Sequence, residues 1–151
     1  MRYGLSTYPR YGTRFMVELA LNYHKGTVFL KDIAKSEEIS EKYLSHLVIP
    51  LKASGLISSS RGAHGGYRLA KPPNLITIKD IVQVLEGNIS PVECVKNPSV
   101  CNRAKDCKTR KIWKTLEDKI LTALSSITLK DLIKPHNGKN RQTVNARKNF
   151  K

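Results

Sequence analysis

The chain has 151 residues, with 27 lysines and arginines against 12 aspartates and glutamates, a formal net charge of +15 and a pI near 9.9. That length sustains one domain with a real core and at most an added helix, and the charge selects a polyanion as partner, nucleic acid before an anionic membrane surface. No apolar run approaches transmembrane length and Met1-Arg2-Tyr3-Gly4 leads into no signal-peptide core, so the expected location is cytoplasmic, with no membrane partner.

Ser6 or Thr7 can cap a first helix, and Pro9 fits its first turn because proline lacks only an amide that would be orphaned there. Phe15, Met16, Leu19, Ala20 and Tyr23 form its apolar stripe, and His24-Lys25-Gly26 closes it. Thr27-Val28-Phe29-Leu30 reads as a short strand. Leu30-Lys31-Asp32-Ile33-Ala34 reads as a short helix, with a turn around Glu38-Ile39.

Next, Leu44, Leu47, Val48 and Leu51 fall at i, i+3, i+4 and i+7, the buried face of one helix. Ser40 caps its start and Gly55 its end. The face left over carries Lys42, Tyr43, Ser45 and His46, near the helix end that enters a DNA major groove. Together with Ser40 these are the candidate DNA contacts on the helix. Pro50 removes one backbone hydrogen bond and costs about 3 kcal/mol unless the helix bends. A kink is expected, with a helix ending near Ile49 as the alternative.

After Gly55 the period changes to that of two short strands, around Leu56-Ile57 and Tyr67-Leu69. Arg61-Gly62-Ala63-His64-Gly65-Gly66 makes a tight loop between them. A helix followed by an arginine-tipped hairpin is the order of a winged helix-turn-helix, so the expected fold is mostly α with a small β-hairpin wing. Arg61 is its candidate DNA contact.

Thr77-Ile78-Lys79-Asp80 resembles a capping box and starts a helix with Ile78, Ile81, Val82 and Leu85 inward, ending at Gly87. A loop from Asn88 to Asp106 leads to a long helix from about Cys107 to Ile127. Its apolar residues Trp113, Leu116, Ile120, Leu124 and Ile127 make a narrow seam, suited to pairing with a second copy. Thr128-Leu129-Lys130-Asp131 caps a last short helix through Ile133. The division is residues 1–87, the DNA-binding domain; 88–106, a cysteine-bearing sensor loop; 107–134, dimerisation and closing helices; and 135–151, a basic tail read as disordered.

Cys94, Cys101 and Cys107 are an odd count within fourteen residues, which argues against a disulfide framework. Lys96, Arg103, Lys105 and Lys108 surround them, a field that favours thiolate, and a helix starting at Cys107 would act the same way. Thiolates in one loop suit a soft metal or an iron–sulfur cluster, although the spacing matches no zinc ribbon. A thiol redox switch without metal and inert cysteines are the other readings. No paired carboxylates or nucleophile–base arrangement indicates an enzyme.

With these motifs placed, the chain resembles the bacterial regulator family that includes the iron–sulfur cluster regulator IscR and the nitric-oxide-sensing repressor NsrR. The resemblance is carried by LSTYPRYGTRFMVELAL, ISEKYLSHLVIPLKASGLI, RGAHGGYRLAKP, the cysteine triad and ITLKDLI. It implies a homodimeric winged helix-turn-helix regulator of transcription with crossed long helices, bound to double-stranded DNA. It also implies a cluster near the dimer interface, commonly 2Fe–2S and sometimes 4Fe–4S, that controls DNA affinity. On this chain the implied ligands are Cys94, Cys101 and Cys107; Lys42, Tyr43, Ser45 and His46 fall on the reading face, and Arg61 on the arginine that reaches the minor groove. Arg110 stands where IscR-like members place a histidine, and Arg10 where NsrR-like members place an aspartate. Candidates for a fourth ligand are Glu93 and Asp106 in the loop, then His24 or Glu18 of the other subunit, with a position open to solvent as the remaining alternative. Some members of the family bind no cluster and respond to thiol oxidation or a partner protein.

Overall fold

The computed structural model describes residues 5–135; residues 136–151, which hold nearly all of the basic tail, and residues 1–4 lie outside the described residues. Helix α1 (Thr7–Leu21) starts where the Ser6 hydroxyl accepts the Tyr8 amide at 3.2 Å, and Pro9 is buried in its first turn. It ends at an Asn22 cap, earlier than expected, and His24-Lys25 belong to the turn beyond. The expected strand at residues 27–30 shrinks to one bridge, Val28 to Tyr67. The reason is local: the Phe29 carbonyl already accepts the Asp32 and Ile33 amides, so helix α2 (Leu30–Glu37) captures the chain.

Glu38 takes a left-handed conformation, φ 53°, and turns the chain into α3 (Glu41–Ala53). Pro50 lies inside α3, and the alternative of a helix ending near Ile49 fails. The turn beyond the proline is held from both ends. Leu51 is fully buried, and its carbonyl accepts the Leu56 amide while that of Lys52 accepts the Gly55 amide, closing the helix with Gly55 at φ 71°.

Strands β1 (Ile57–Ser60) and β2 (Gly66–Leu69) pair antiparallel, Ile57 opposite Leu69 and Ser60 opposite Gly66. Helix α4 (Ile78–Glu86) begins with the anticipated capping box, Asp80 accepting the Thr77 amide at 2.8 Å and Thr77 accepting that of Asp80 at 3.2 Å. The cysteine loop is more ordered than expected, with a one-turn helix α5 (Glu93–Lys96) and a 3-10 turn, Pro98–Val100. Helix α6 (Arg110–Ser125) starts three residues late, because Cys107–Thr109 form a turn closed by the Arg110 amide on the Cys107 carbonyl. A second capping box, Thr128 with Asp131, opens α7 (Leu129–Leu132).

The core gathers on α1. Phe15, Met16 and Leu19 pack with Ile33, Leu44, Leu47, Leu51, Ile76, Ile81 and Leu129, from four other helices and the turn before α4. Helix α6 differs. Trp113, Leu116 and Ile127 of its seam remain 39%, 42% and 38% exposed, while Glu117 is buried. Leu124 of the expected apolar seam packs against the core, while Trp113 and Leu116 have little cover from their own chain.

Candidate nucleic-acid interface and cysteine loop

The outer face of α3 divides by burial. Lys42 and His46 are exposed; Ser45 is half-buried and its hydroxyl donates to the Lys42 carbonyl at 2.6 Å. The Ser40 hydroxyl accepts the Tyr43 amide at 3.1 Å, so it caps the helix while remaining exposed. Tyr43 is half-buried. Standing four residues before Leu47, it lies at the edge of the buried stripe, where its ring meets Tyr8 at 5.5 Å and Tyr11 at 5.4 Å, both edge-on. Its hydroxyl pairs with that of Thr7 at 2.9 Å. The tyrosine expected on the reading face thus also braces α3 against α1, its hydroxyl contact remaining exposed.

The wing stands beside α3 on a fixed base. The Val28 amide donates to the Tyr67 carbonyl and the Tyr67 amide to the Val28 carbonyl, both at 2.8 Å. The Thr27 hydroxyl lies 2.8 Å from the carbonyls of both His64 and Gly65. At Gly66, φ is +122° and a Cβ would fall 2.6 Å from the Val28 carbonyl oxygen, a closeness only glycine permits. Arg61 projects at the start of the loop, exposed. Between wing and α3 runs a cleft of about 590 Å³ whose lining includes Lys31 and Lys52. Sequence reasoning singled out neither, since they lie in separate helices and meet only across the fold.

The three cysteines are free and half-buried: Cys94 in α5, Cys101 after the 3-10 turn, and Cys107 ahead of α6. Among the described residues, no three His, Cys, Asp or Glu side chains are gathered closely enough to hold a metal. Glu18 lies along α1 near Asn22, and His24 stacks edge-on with Tyr23. Arg10 donates to the Tyr11 hydroxyl at 3.0 Å. Three thiols in one loop are donors that suit iron chemically, and in this single chain they stand apart.

Arg110 is half-buried, and its Nε donates to the Cys94 carbonyl at 3.0 Å, tying α5 to the first turn of α6. The Cys107 thiol is held below its ordinary pKa. The Thr109 hydroxyl 3.2 Å away contributes most, then the Arg110 amide, with Arg103's charge a minor contributor. Hydrogen bonds, rather than the surrounding lysines, favour its thiolate.

A family model described as Rrf2, iron-dependent transcriptional regulator, matches residues 5–135. The chain belongs to the Rrf2 family. It is 43% identical over 128 residues to the HTH-type transcriptional regulator CymR of Bacillus subtilis, covering 85% of this chain and 88% of that one. The solved structure of that CymR, the global cysteine regulator of B. subtilis, superposes with a TM-score of 0.73 at 44% identity, covering 87% of this chain and 96% of the other. The structure of T. potens IscR gives a TM-score of 0.73 at 36% identity, covering 87% of each chain. These Rrf2 relatives are transcriptional regulators rather than enzymes, and this chain is a DNA-binding transcriptional regulator with their winged-helix fold. Among the described residues no helix is long and apolar enough to cross a membrane.

Proposed function

We propose that the protein binds operator DNA as a homodimer, α3 in the major groove and Arg61 in the adjacent minor groove, with affinity set by the state of the cysteine loop. The observation that carries this is the clamped wing beside an α3 whose outward groups are Lys42, Ser45 and His46. Two copies joined along the α6 seam would present two recognition helices to half-sites about one helical turn apart. The Arg110 link from α6 to the Cys94 carbonyl gives the loop a hold on the helix that sets this spacing.

The geometry favours the thiols themselves as the sensing groups. They are free, ungathered and partly accessible, and Cys107 is biased toward the reactive thiolate. The second reading is an iron–sulfur cluster held by Cys94, Cys101 and Cys107. It is favoured by three soft donors in one loop and by a family described as iron-dependent.

Selection from a random duplex library tests the interface. Ser45→Ala with His46→Ala should alter preference inside the half-site, at about 1–3 kcal/mol per good base contact. Arg61→Ala should relax preference at flanking A·T positions. Unchanged selections would refute the assignment. For the loop, protein purified without oxygen is assayed for iron, sulfide and DNA affinity before and after thiol alkylation. Colourless, iron-free protein that loses affinity on alkylation supports thiol sensing; stoichiometric iron and sulfide support the cluster.

A further inference from the structure

We infer that the cleft between α3 and the wing seats one sugar–phosphate strand of the DNA, with Lys31 and Lys52 as its sequence-independent contacts. The inference rests on the DNA-binding reading above and deepens it. If α3 enters the major groove and Arg61 the minor groove beside it, the strand dividing those grooves must cross the space between them. In this fold that space is the cleft, and its lining is built for phosphate.

Lys31 comes from the first turn of α2, Lys52 from the last turn of α3 and Arg61 from the wing, so three separate elements converge their cations on one channel. The Lys31 ammonium lies 5.5 Å from the Phe29 ring centroid, which orients it. Arg14 is paired with Glu37, Lys114 with Glu117 and Asp118, and Lys134 with Asp131, so each of these cations is already engaged by a carboxylate of its own chain. Among the described residues, none of the three cleft cations forms a salt bridge. Ser59 and Ser60 add hydroxyls to the same wall. Glu41 is the one carboxylate in the lining and opposes a phosphate.

A backbone contact differs from a base contact in two measurable ways. It weakens binding to every sequence equally when removed, and it contributes to the salt dependence through released counterions. The probes are the selected operator duplex and an unrelated mixed-sequence duplex, followed by fluorescence anisotropy across salt concentration. Lys31→Gln and Lys52→Gln should each flatten the slope of log affinity against log salt by about 0.9 for every phosphate left unneutralised, or about 1.8 in a symmetric dimer. Both duplexes should lose affinity by the same factor. Glu41→Gln should tighten both, and Lys130→Gln, exposed on α7, should leave slope and affinity unchanged.

A steep wild-type slope left intact by the double Lys31→Gln, Lys52→Gln variant would overturn the cleft inference while leaving the regulator intact. A loss confined to the operator duplex would overturn it too, because it would make the lysines base readers. No binding of the wild type to either duplex would overturn both readings together.

Discussion

Gly66→Ala should detach the wing from the body of the protein, and its cost can be worked from the backbone. Gly66 sits at φ +122°, where an L side chain is strained by about 1–3 kcal/mol. The added Cβ would meet the Val28 carbonyl oxygen at 2.6 Å, the Val28 carbonyl carbon at 2.8 Å and the Phe29 amide nitrogen at 3.2 Å. All three are backbone atoms at the start of α2, so no rotamer can relieve the contact. Strand β2 must move, which surrenders the paired hydrogen bonds between Val28 and Tyr67, worth about 1 kcal/mol each. The sum is about 3–5 kcal/mol.

Gly62→Ala is the matched control, since Gly62 has φ +97° but nothing lies within 4 Å of the place its new methyl would occupy, leaving strain alone. Urea unfolding at constant m-value compares the two globally, and hydrogen exchange at the Val28 and Tyr67 amides reports local release of the wing. Duplex binding should fall for Gly66→Ala, because Arg61 loses its fixed position. The reasoning is refuted if Gly66→Ala costs no more than Gly62→Ala and leaves both amides protected.

Four further outcomes are expected. Ile120→Lys places an unpaired charge in the α6 seam and should yield monomers or insoluble protein; an intact dimer in sedimentation would move the interface elsewhere. Thr109→Val removes the hydroxyl that stabilises the Cys107 thiolate, so the pH midpoint of Cys107 alkylation should rise toward the ordinary thiol value, and an unmoved midpoint counts against that bond. Arg110→Ala releases the Cys94 carbonyl and should speed amide exchange across α5 on the order of tenfold, the equivalent of ~1.5 kcal/mol for a charge-assisted hydrogen bond; unchanged exchange would show that α5 is held by other contacts. Tyr43→Phe removes the bond to Thr7 and should cost stability of about 1 kcal/mol while leaving base preference unaltered. An altered preference would return Tyr43 to the reading face.

Local physics was legible in the residues alone. The i, i+3, i+4, i+7 spacing from Leu44 to Leu51 names the buried face of α3, because helical periodicity depends on nothing outside the segment. Both capping boxes close within four residues, so Thr77 with Asp80 and Thr128 with Asp131 could be read directly. The wing followed from a glycine-rich loop between two short apolar runs, and the α6 seam from apolar residues spaced three or four apart.

Tertiary structure decided whatever depends on a partner far along the chain. Tyr43 stands at the edge of its helical stripe, and only the approach of Tyr8 and Tyr11 on α1 half-buries its ring. Pro50 could have ended α3; burial of Leu51 beyond it carries the helix on. Arg110 stands where the family resemblance implies a ligand, and in the fold it ties α6 to the Cys94 carbonyl, a bond between segments that no local pattern encodes. Lys31 and Lys52 share a cleft only because α2 packs on α3 and α3 on the first strand of the wing. Side-chain type sets what a residue can do, and the packing of distant elements sets which of those things it does.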